Sequence, residues 1–337
     1  MLSFSVKTRE GIGKWKTQLN VSSNAKNKCI RSDLPTSKIE SRRDTLLSGT
    51  KAMVASMLLQ NINPQSSLAK ETVVGTPENP IAIIGGGGRT GMTIAEVIAG
   101  ELGQMNGVTM TRTGKDPFQI VKLPVNIKER LAHYGKPVDV RDADEVLNAL
   151  EEVKPSVIVY AASASKQGGN SFDVDDRGVE IVARAAKYVG AELILISALA
   201  VDRPESKSFK ITNTIGGHLD KIMEAKLNGE MKMKEIMGND YVIIRPGVLL
   251  SGKTKGGAND IELNQGDTVG GGLSRDELAG VVIGAIQSRK RGITVEAYRR
   301  STATILQPEF KVPSGNELTG SSYRDLFLNA KSDLTVF

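Results

Sequence analysis

Short apolar runs alternate with amphipathic segments from residue 81 onward. The first run, residues 81–84, stands between a proline and a glycine and predicts a buried strand. Further strand-like runs are 108–111, 137–140, 157–160, 193–196 and 241–244. Helical periodicity occurs after residue 91 and near 143–153, 174–189 and 219–237. This alternation predicts an α/β fold with a doubly wound, mostly parallel sheet in a single domain.

A glycine-rich turn separates the first predicted strand from the first predicted helix. Two registers fit a dinucleotide-binding turn, and they differ in whether Gly85 or Gly86 is the first glycine. A side chain there would block a diphosphate from the backbone N–H groups at the helix N-terminus. A flexible glycine loop is the alternative interpretation. The residues of this turn that we expect to contact the dinucleotide are Gly85, Gly86, Gly88, Arg89, Thr90 and Gly91.

The residue after the second strand bears on the choice of cofactor. An NAD site has an acidic residue there to hold the ribose 2′-hydroxyl, whereas this strand is followed by Arg112. Arg89 supplies a second guanidinium within the glycine turn. Two such groups near the adenosine ribose would suit a 2′-phosphate, so we expect NADP, with NAD as the alternative. Two ordinary surface arginines are the competing interpretation.

Small or polar residues follow the later strands. Ligands of parallel sheets bind outside the carboxyl ends of the strands, so these residues are candidates for the site. Small residues after the fourth strand would let a nicotinamide ribose approach the backbone. The candidates are Asp139, Val140, Ala161, Ala162, Ser163, Ser197, Pro246 and Gly247.

The positive charge is concentrated in residues 1–72, which hold 12 Lys and Arg against 5 Asp and Glu. The remaining 265 residues hold 32 basic and 33 acidic side chains, a balance that does not favour nucleic-acid binding. No apolar run of about 18 residues predicts a membrane span. A basic, hydroxyl-rich, acid-poor N-terminus is typical of an organelle transit peptide. We therefore expect residues 1–72 to be a targeting region that is removed or disordered.

A second targeting signal is also predicted within that region. Arg42 and Arg43 precede the modestly apolar stretch 45–59, and small residues follow at 67–69. This order is typical of a bacterial-type export signal, which behind a transit peptide indicates the thylakoid lumen. A disordered basic tail with a chance arginine pair is the alternative.

These motifs resemble the atypical short-chain dehydrogenase/reductases, and most closely the NAD(P)-binding, NmrA-like branch of plant and algal plastids. The resemblance extends over about residues 80–300 and implies a Rossmann-type domain there. It also implies that Asp139 and Val140 contact the adenine and that Pro246 and Gly247 lie near the nicotinamide. The motifs that carry it are at 84–91, 138–142, 175–178, 241–247 and 266–279.

The chain departs from the catalytic pattern of typical short-chain dehydrogenase/reductases. Those enzymes use a Ser, a Tyr and a Lys four residues after the Tyr. Ser197 and Lys226 match two of these positions, but Ile222 occupies the third and has no proton to donate. Ser197 and Lys226 are therefore the remaining catalytic candidates, although Lys226 is also consistent with a solvated helix lysine.

We expect an NADP(H)-dependent reductase acting on a small organic or pigment-like substrate in a plastid. The alternatives are a non-catalytic NADPH-binding redox sensor or tethering subunit of a plastid complex, and an isomerase or epimerase with a tightly held cofactor. The two histidines show no metal-ligand spacing, so no metal site is predicted. Residues 301–337 form a C-terminal extension that either packs on the domain or docks a partner.

Overall fold

The structure is a computed structural model that describes residues 73–252, 256–306 and 317–333. The targeting signals predicted for residues 1–72 lie outside these residues. The helices are α1 Arg89–Ala99, α2 Val125–Lys128, α3 Ala143–Val153, α4 Val179–Val189, α5 Lys207–Asn213, α6 Ile222–Met237 and α7 Arg275–Ser288. The strands are β1 Ile81–Ile84, β2 Gly107–Met110, β3 Leu131–His133, β4 Val157–Tyr160, β5 Glu192–Ile196, β6 Tyr241–Pro246, β7 Val248–Leu250, β8 Ile261–Asn264, β9 Val269–Gly270, β10 Gly272–Ser274, β11 Ile293–Arg299 and β12 Thr304–Ile305.

Eight strands form one sheet in the order β3-β2-β1-β4-β5-β6-β11-β8. All neighbouring strands are parallel except β8, which runs antiparallel to β11. The chain builds outward from β1 in one direction and from β4 in the other, which opens a crevice between their carboxyl ends. The predicted doubly wound, mostly parallel sheet is therefore confirmed.

Helices cover both faces of the sheet. Ile81 and Ile83 of β1 pack in one apolar cluster with residues of α1 and α7. Ala82 and Ile84 point to the other face, into a cluster with α3, α4 and α6. Successive strand residues face opposite sides, so a strand covered on both faces is apolar throughout.

The third strand is not where the sequence predicts it. Residues 137–140, which include the site candidates Asp139 and Val140, form a loop, and the strand beside β2 is Leu131–His133. Pro137 has no N–H for a strand ladder, and Val138 makes a single backbone bond to Thr111 at 2.9 Å. His133 is instead held in the strand by its ring, since Nδ1 lies 3.0 Å from the Thr109 carbonyl oxygen.

The predicted helices are present, with one irregularity. Residues 174–189 divide into a π-helix, Phe172–Gly178, and the α-helix α4. Ser274 is the N-cap of α7, because the Ser274 hydroxyl accepts from the Glu277 N–H and the Glu277 carboxylate accepts from the Ser274 N–H.

The described part of the C-terminal extension packs on the domain. Leu318 pairs with Leu263 of β8, and Leu326 and Phe327 are fully buried. The Asp333 carboxylate accepts hydrogen bonds from Thr294 of β11 and from the Tyr241 hydroxyl. Residues 317–333 are therefore part of the folded domain. Among the helices described, none has the length and apolar character needed to cross a bilayer.

Candidate functional site

The glycine turn forms where the backbone of β1 passes directly into α1. Gly85 has a φ of +81°, and a Cβ there would lie 2.5 Å from the Ala162 nitrogen. A Cβ on Gly91 would lie 2.3 Å from the Gly85 carbonyl oxygen. Both positions exclude a side chain because backbone meets backbone at each of them. Gly88 is the N-cap of α1 and provides no side-chain cap, so the helix end presents N–H groups to an anion.

A cleft of about 400 Å³ lies beside this turn at the carboxyl ends of β1, β2 and β4. The structure brings many of the candidate cofactor residues together there. Those that line the cleft are Gly85, Gly88, Arg112, Asp139, Val140, Ala161, Ala162 and Ser163. Residues not predicted from the sequence also line it, namely Gly87, Thr111, Thr113, Val138, Ser165, Gln167, Gly168 and Val174. Residues 165–168 form a tight turn. They have no hydrophobic periodicity, so the sequence does not indicate that they line the cleft.

Of the two arginines near the cleft, Arg141 is paired with a carboxylate and Arg112 is not paired with any described residue. Arg141 donates two hydrogen bonds to the Asp139 carboxylate, at 2.9 and 2.6 Å. These bonds lower the pKa of Asp139, and the charge of Arg112 lowers it further. Arg112 itself is exposed and makes no ion pair within 4 Å among the described residues. The cleft therefore presents a free guanidinium beside a carboxylate that is already neutralised.

The remaining candidates from the turn and from β6 do not line this cleft. Arg89 is exposed on the first turn of α1, and its charge acts on Arg275 of α7. Arg112 lines the cleft and Arg89 does not, although the neighbouring Gly88 does. Gly247 packs against the Gly271 carbonyl oxygen, where a Cβ would lie 2.1 Å away. Pro246 ends β6, and its carbonyl accepts from Leu199. Of the turn, Gly86, Thr90 and Gly91 also lie outside the lining.

Ser197 follows β5 at the same edge of the sheet. Its side chain is 6% exposed, and its Oγ has no hydrogen-bond partner in the described part of the chain. A buried hydroxyl without a partner loses its hydration without replacement. It is therefore available to bind a polar atom of a ligand.

Lys226 is not a solvated lysine. Its side chain is 13% exposed, and its ammonium lies 2.7 Å from Oδ1 of the buried Asp175. The same oxygen accepts from the Ser163 hydroxyl at 2.8 Å, and Oδ2 accepts from the Ala164 N–H at 2.8 Å. One carboxylate thus connects Lys226 of α6 to Ser163 in the wall of the cleft.

The π-helix places Asp175 at this junction. A Cβ on Gly229 of α6 would lie 2.2 Å from the Asp175 carbonyl oxygen, so α6 approaches the π-helix through that glycine. Single π-turns inside helices often occur at functional sites. In the sequence, Asp175 stands out only as the first residue of the motif at 175–178. Its spacing from Lys226, 51 residues along the chain, gave no reason to pair the two.

Ile222 lies one turn before Lys226 and is buried in an apolar cluster. Its neighbours in that cluster include Ala164, Ala200 and Phe209. The resemblance to short-chain dehydrogenase/reductases would place a tyrosine at this position. The structure instead has a buried apolar side chain there. A proton donor must come from another residue if the site catalyses a reduction.

A second polar cavity, of about 570 Å³, lies beside β6 and β11 and is bordered by residues of the C-terminal segment. At its floor Arg245 contacts Glu230 at 2.7 Å and Glu296 at 3.3 Å. Asp202 and Asp267 complete a group of four carboxyls around this one guanidinium. Burial raises the pKa of Glu296 to about 7 and also raises that of Asp267, so the group retains protons that isolated carboxyls release.

Comparisons with known proteins agree with this architecture. The sequence model of a family described as NAD(P)H-binding matches residues 85–289. An oxidoreductase of Lactococcus lactis, ylbE, matches at a TM-score of 0.51 and 18% identity over 66% of this chain and 92% of that one. A short-chain dehydrogenase/reductase (wide type) of Veillonella parvula, solved in complex with NADP, matches at 0.51 and 15% identity over 68% and 98%.

At these identities the two structures show a shared fold. A search of curated protein sequences gave no significant match. The family match is independent of the structural likeness and covers more than half of the sequence. The chain therefore belongs to this NAD(P)H-binding family.

Proposed function

We propose that the protein is an NADP(H)-dependent reductase of the NmrA-like branch, acting on a small organic or pigment-like substrate in a plastid. The observation that carries the proposal is the cleft at the glycine turn, where Arg112 stands unpaired beside an Asp139 that Arg141 neutralises. A 2′-phosphate at this point could pair with the Arg112 guanidinium, and the Asp139 carboxylate would not repel it because Arg141 neutralises that charge. The NADP bound to the Veillonella parvula relative supports the same choice.

The residues present fit this cofactor. The uncapped N-terminus of α1 would hold the diphosphate, and the small residues Ala161 and Ala162 leave room for the rest of the molecule. NADPH, when bound, supplies the hydride. Ser197 has a buried hydroxyl free to hold a substrate oxygen. Lys226 would hold the cofactor ribose or supply the proton, with Asp175 fixing its ammonium.

Isothermal titration of the full chain tests the choice of cofactor. We expect NADPH to bind more tightly than NADH. Arg112→Ala should weaken NADPH binding by about 1–3 kcal/mol, the value of a charge-assisted hydrogen bond, and leave NADH binding unchanged. Arg184→Ala, which removes an exposed arginine of α4, is the matched control. Equal affinities for NADPH and NADH in the unmodified protein would contradict the proposal.

A non-catalytic NADPH-binding redox sensor is the second candidate, and the burial of Ile222 in an apolar cluster favours it. Turnover separates the two functions. The reductase should oxidise NADPH in the presence of at least one quinone, carbonyl, flavin or tetrapyrrole acceptor. Ser197→Ala and Lys226→Met should each abolish that oxidation. Tight NADPH binding without oxidation across all these acceptor classes would favour the sensor.

The plastid location is proposed from the basic, acid-poor composition of residues 1–72. Fusing these residues to a fluorescent protein and incubating the precursor with isolated chloroplasts would test it. We expect import and processing, and a lumenal product if the arginine pair is functional. Replacing Arg42 and Arg43 by lysine should stop transfer to the lumen but allow import. Absence of import would contradict the plastid assignment.

A further inference from the structure

Two helices of the same sheet face begin with an arginine. Arg89 is the first residue of α1, and Arg275 is the first residue of α7. The two helices pack against each other and share an apolar cluster through Ile94, Ile98 and Leu278. Their first residues are close enough for the charge of Arg89 to act on Arg275.

The first turn of α7 is held rigidly. Ser274 is fully buried and caps the helix, and Glu277 closes the capping box. Glu277 also pairs with Arg299, so its carboxylate is already engaged. The backbone of Arg275 is therefore fixed by contacts that do not involve its own side chain.

No carboxylate of the described residues lies within 4 Å of the Arg89 or Arg275 guanidinium. The Nε of Arg275 is buried and has no hydrogen-bond partner among those residues. Burial and the charge of Arg89 both lower the pKa of Arg275. Two like charges therefore act on each other, with no ion pair to a described residue, at the N-termini of two helices. The first turn of α7 also carries Asp276 and Glu277, the second of which is paired with Arg299. A buried donor of this kind is costly unless an anion satisfies it.

We propose that Arg275 binds the cofactor's diphosphate together with Arg89, so that α1 and α7 hold the anion from two sides. This inference rests on the proposed cofactor function and assigns to it a residue from outside the glycine turn. Guanidinium groups match phosphate oxygens with two parallel N–H donors. Arg112, in the lining of the cleft, would then select the 2′-phosphate, and Arg275, outside that lining, would bind the diphosphate that NADP and NAD share.

Titration of the full chain with NADPH, NADH and ADP-ribose tests this division. ADP-ribose carries the diphosphate but neither the nicotinamide nor the 2′-phosphate. Arg275→Ala should weaken all three ligands by the same factor, tenfold or more, and Arg275→Lys should restore part of the affinity. Arg112→Ala should weaken NADPH alone. Arg300→Ala, which removes a half-exposed arginine, is the control and should change nothing.

Thermal unfolding without ligand separates binding from folding. Because Arg275 makes no ion pair with the residues that the structure describes, Arg275→Ala should unfold at the wild-type temperature or slightly above it. Wild-type affinity of Arg275→Ala for ADP-ribose would overturn the inference. If that affinity is retained while the KM of an anionic substrate rises, the arginine serves the substrate, which also overturns it. Failure of the unmodified protein to bind any of the three ligands would instead overturn the proposed function, and this inference with it.

Discussion

Replacing Gly91 by alanine would place a methyl group against the backbone of the turn before it. The new Cβ would lie 2.3 Å from the Gly85 carbonyl oxygen and 2.9 Å from its carbon. No side-chain rotation relieves a contact between a Cβ and a backbone carbonyl. Either α1 or the glycine turn must move by about 1 Å to restore an ordinary contact.

The size of the effect follows from two opposing contributions. Overpacking of this kind costs about 1–3 kcal/mol, and backbone meeting backbone belongs at the upper end. Replacing glycine by alanine within a helix stabilises the helix by up to about 1 kcal/mol. We therefore expect Gly91→Ala to lower the free energy of unfolding by about 2 kcal/mol. In a domain of this size that corresponds to a fall in Tm of about 4–8 °C.

Two other glycines separate stability from binding. Gly87 lines the cleft, and a Cβ there would meet only Thr111, at 3.4 Å or more. Gly87→Ala should therefore keep the wild-type Tm but weaken NADPH by about 1.5–3 kcal/mol, because its methyl group would stand where the diphosphate approaches the backbone. Gly135→Ala has no heavy atom within 4 Å of its Cβ and should change neither property.

Circular dichroism melts and isothermal titration of the three variants measure the two properties. Gly91→Ala should lose both stability and cofactor affinity, since a displaced turn no longer presents its N–H groups correctly. A Gly91→Ala protein with wild-type Tm and wild-type NADPH affinity would refute the steric reasoning. Unchanged affinity in Gly87→Ala would refute the placement of the diphosphate beside that residue.

Two further predictions concern the buried charges. Asp175→Asn leaves the largely buried Lys226 without a carboxylate and should cost about 3–5 kcal/mol of stability by urea denaturation. Asp176→Asn removes the ion pair with the half-exposed Lys232 and alters a 3.5 Å contact from Asn228, and it should cost about 1 kcal/mol or less; equal losses would contradict this. Burial raises the pKa of Glu296 to about 7, so the folded protein binds this proton more tightly than the unfolded chain does, and the free energy of unfolding should fall as the pH rises from about 4.5 to 7. Glu296→Gln, which is neutral throughout, should flatten that slope, and an unchanged pH dependence would assign it to other groups.

The sequence predicts best where local chemistry determines the conformation. Gly85 and Gly91 sit where no Cβ fits, and Ser274 and Glu277 cap a helix through contacts three residues apart. Strand and helix follow from the same local signals. The prediction of a strand at 137–140 is wrong. The apolar alternation of these residues fits a strand, but Pro137 has no N–H to donate to a neighbouring strand.

Contacts between distant segments supply what the sequence could not predict. Asp175 meets Lys226 across 51 residues, and Arg245 gathers carboxyls from four separate segments of the chain. In the sequence, Arg275 belongs to the motif at 266–279, which carries only the family resemblance. Its significance comes from the packing of α7 beside α1, which no local pattern encodes.

Ile222 supplies no proton, so the contacts of the largely buried Lys226 matter for the function of the site. An unpaired ammonium in a largely buried position is costly. Here Asp175 compensates its charge, and the same carboxylate binds Ser163 in the wall of the cleft. That second contact joins the ion pair to the wall of the cleft. Occupation of the cleft would act on Ser163 first and reach Lys226 through one shared oxygen of Asp175, so NADPH binding should depend on Lys226. Lys226→Met should therefore weaken NADPH binding in isothermal titration, and an unchanged affinity in that variant would show that the network is structural.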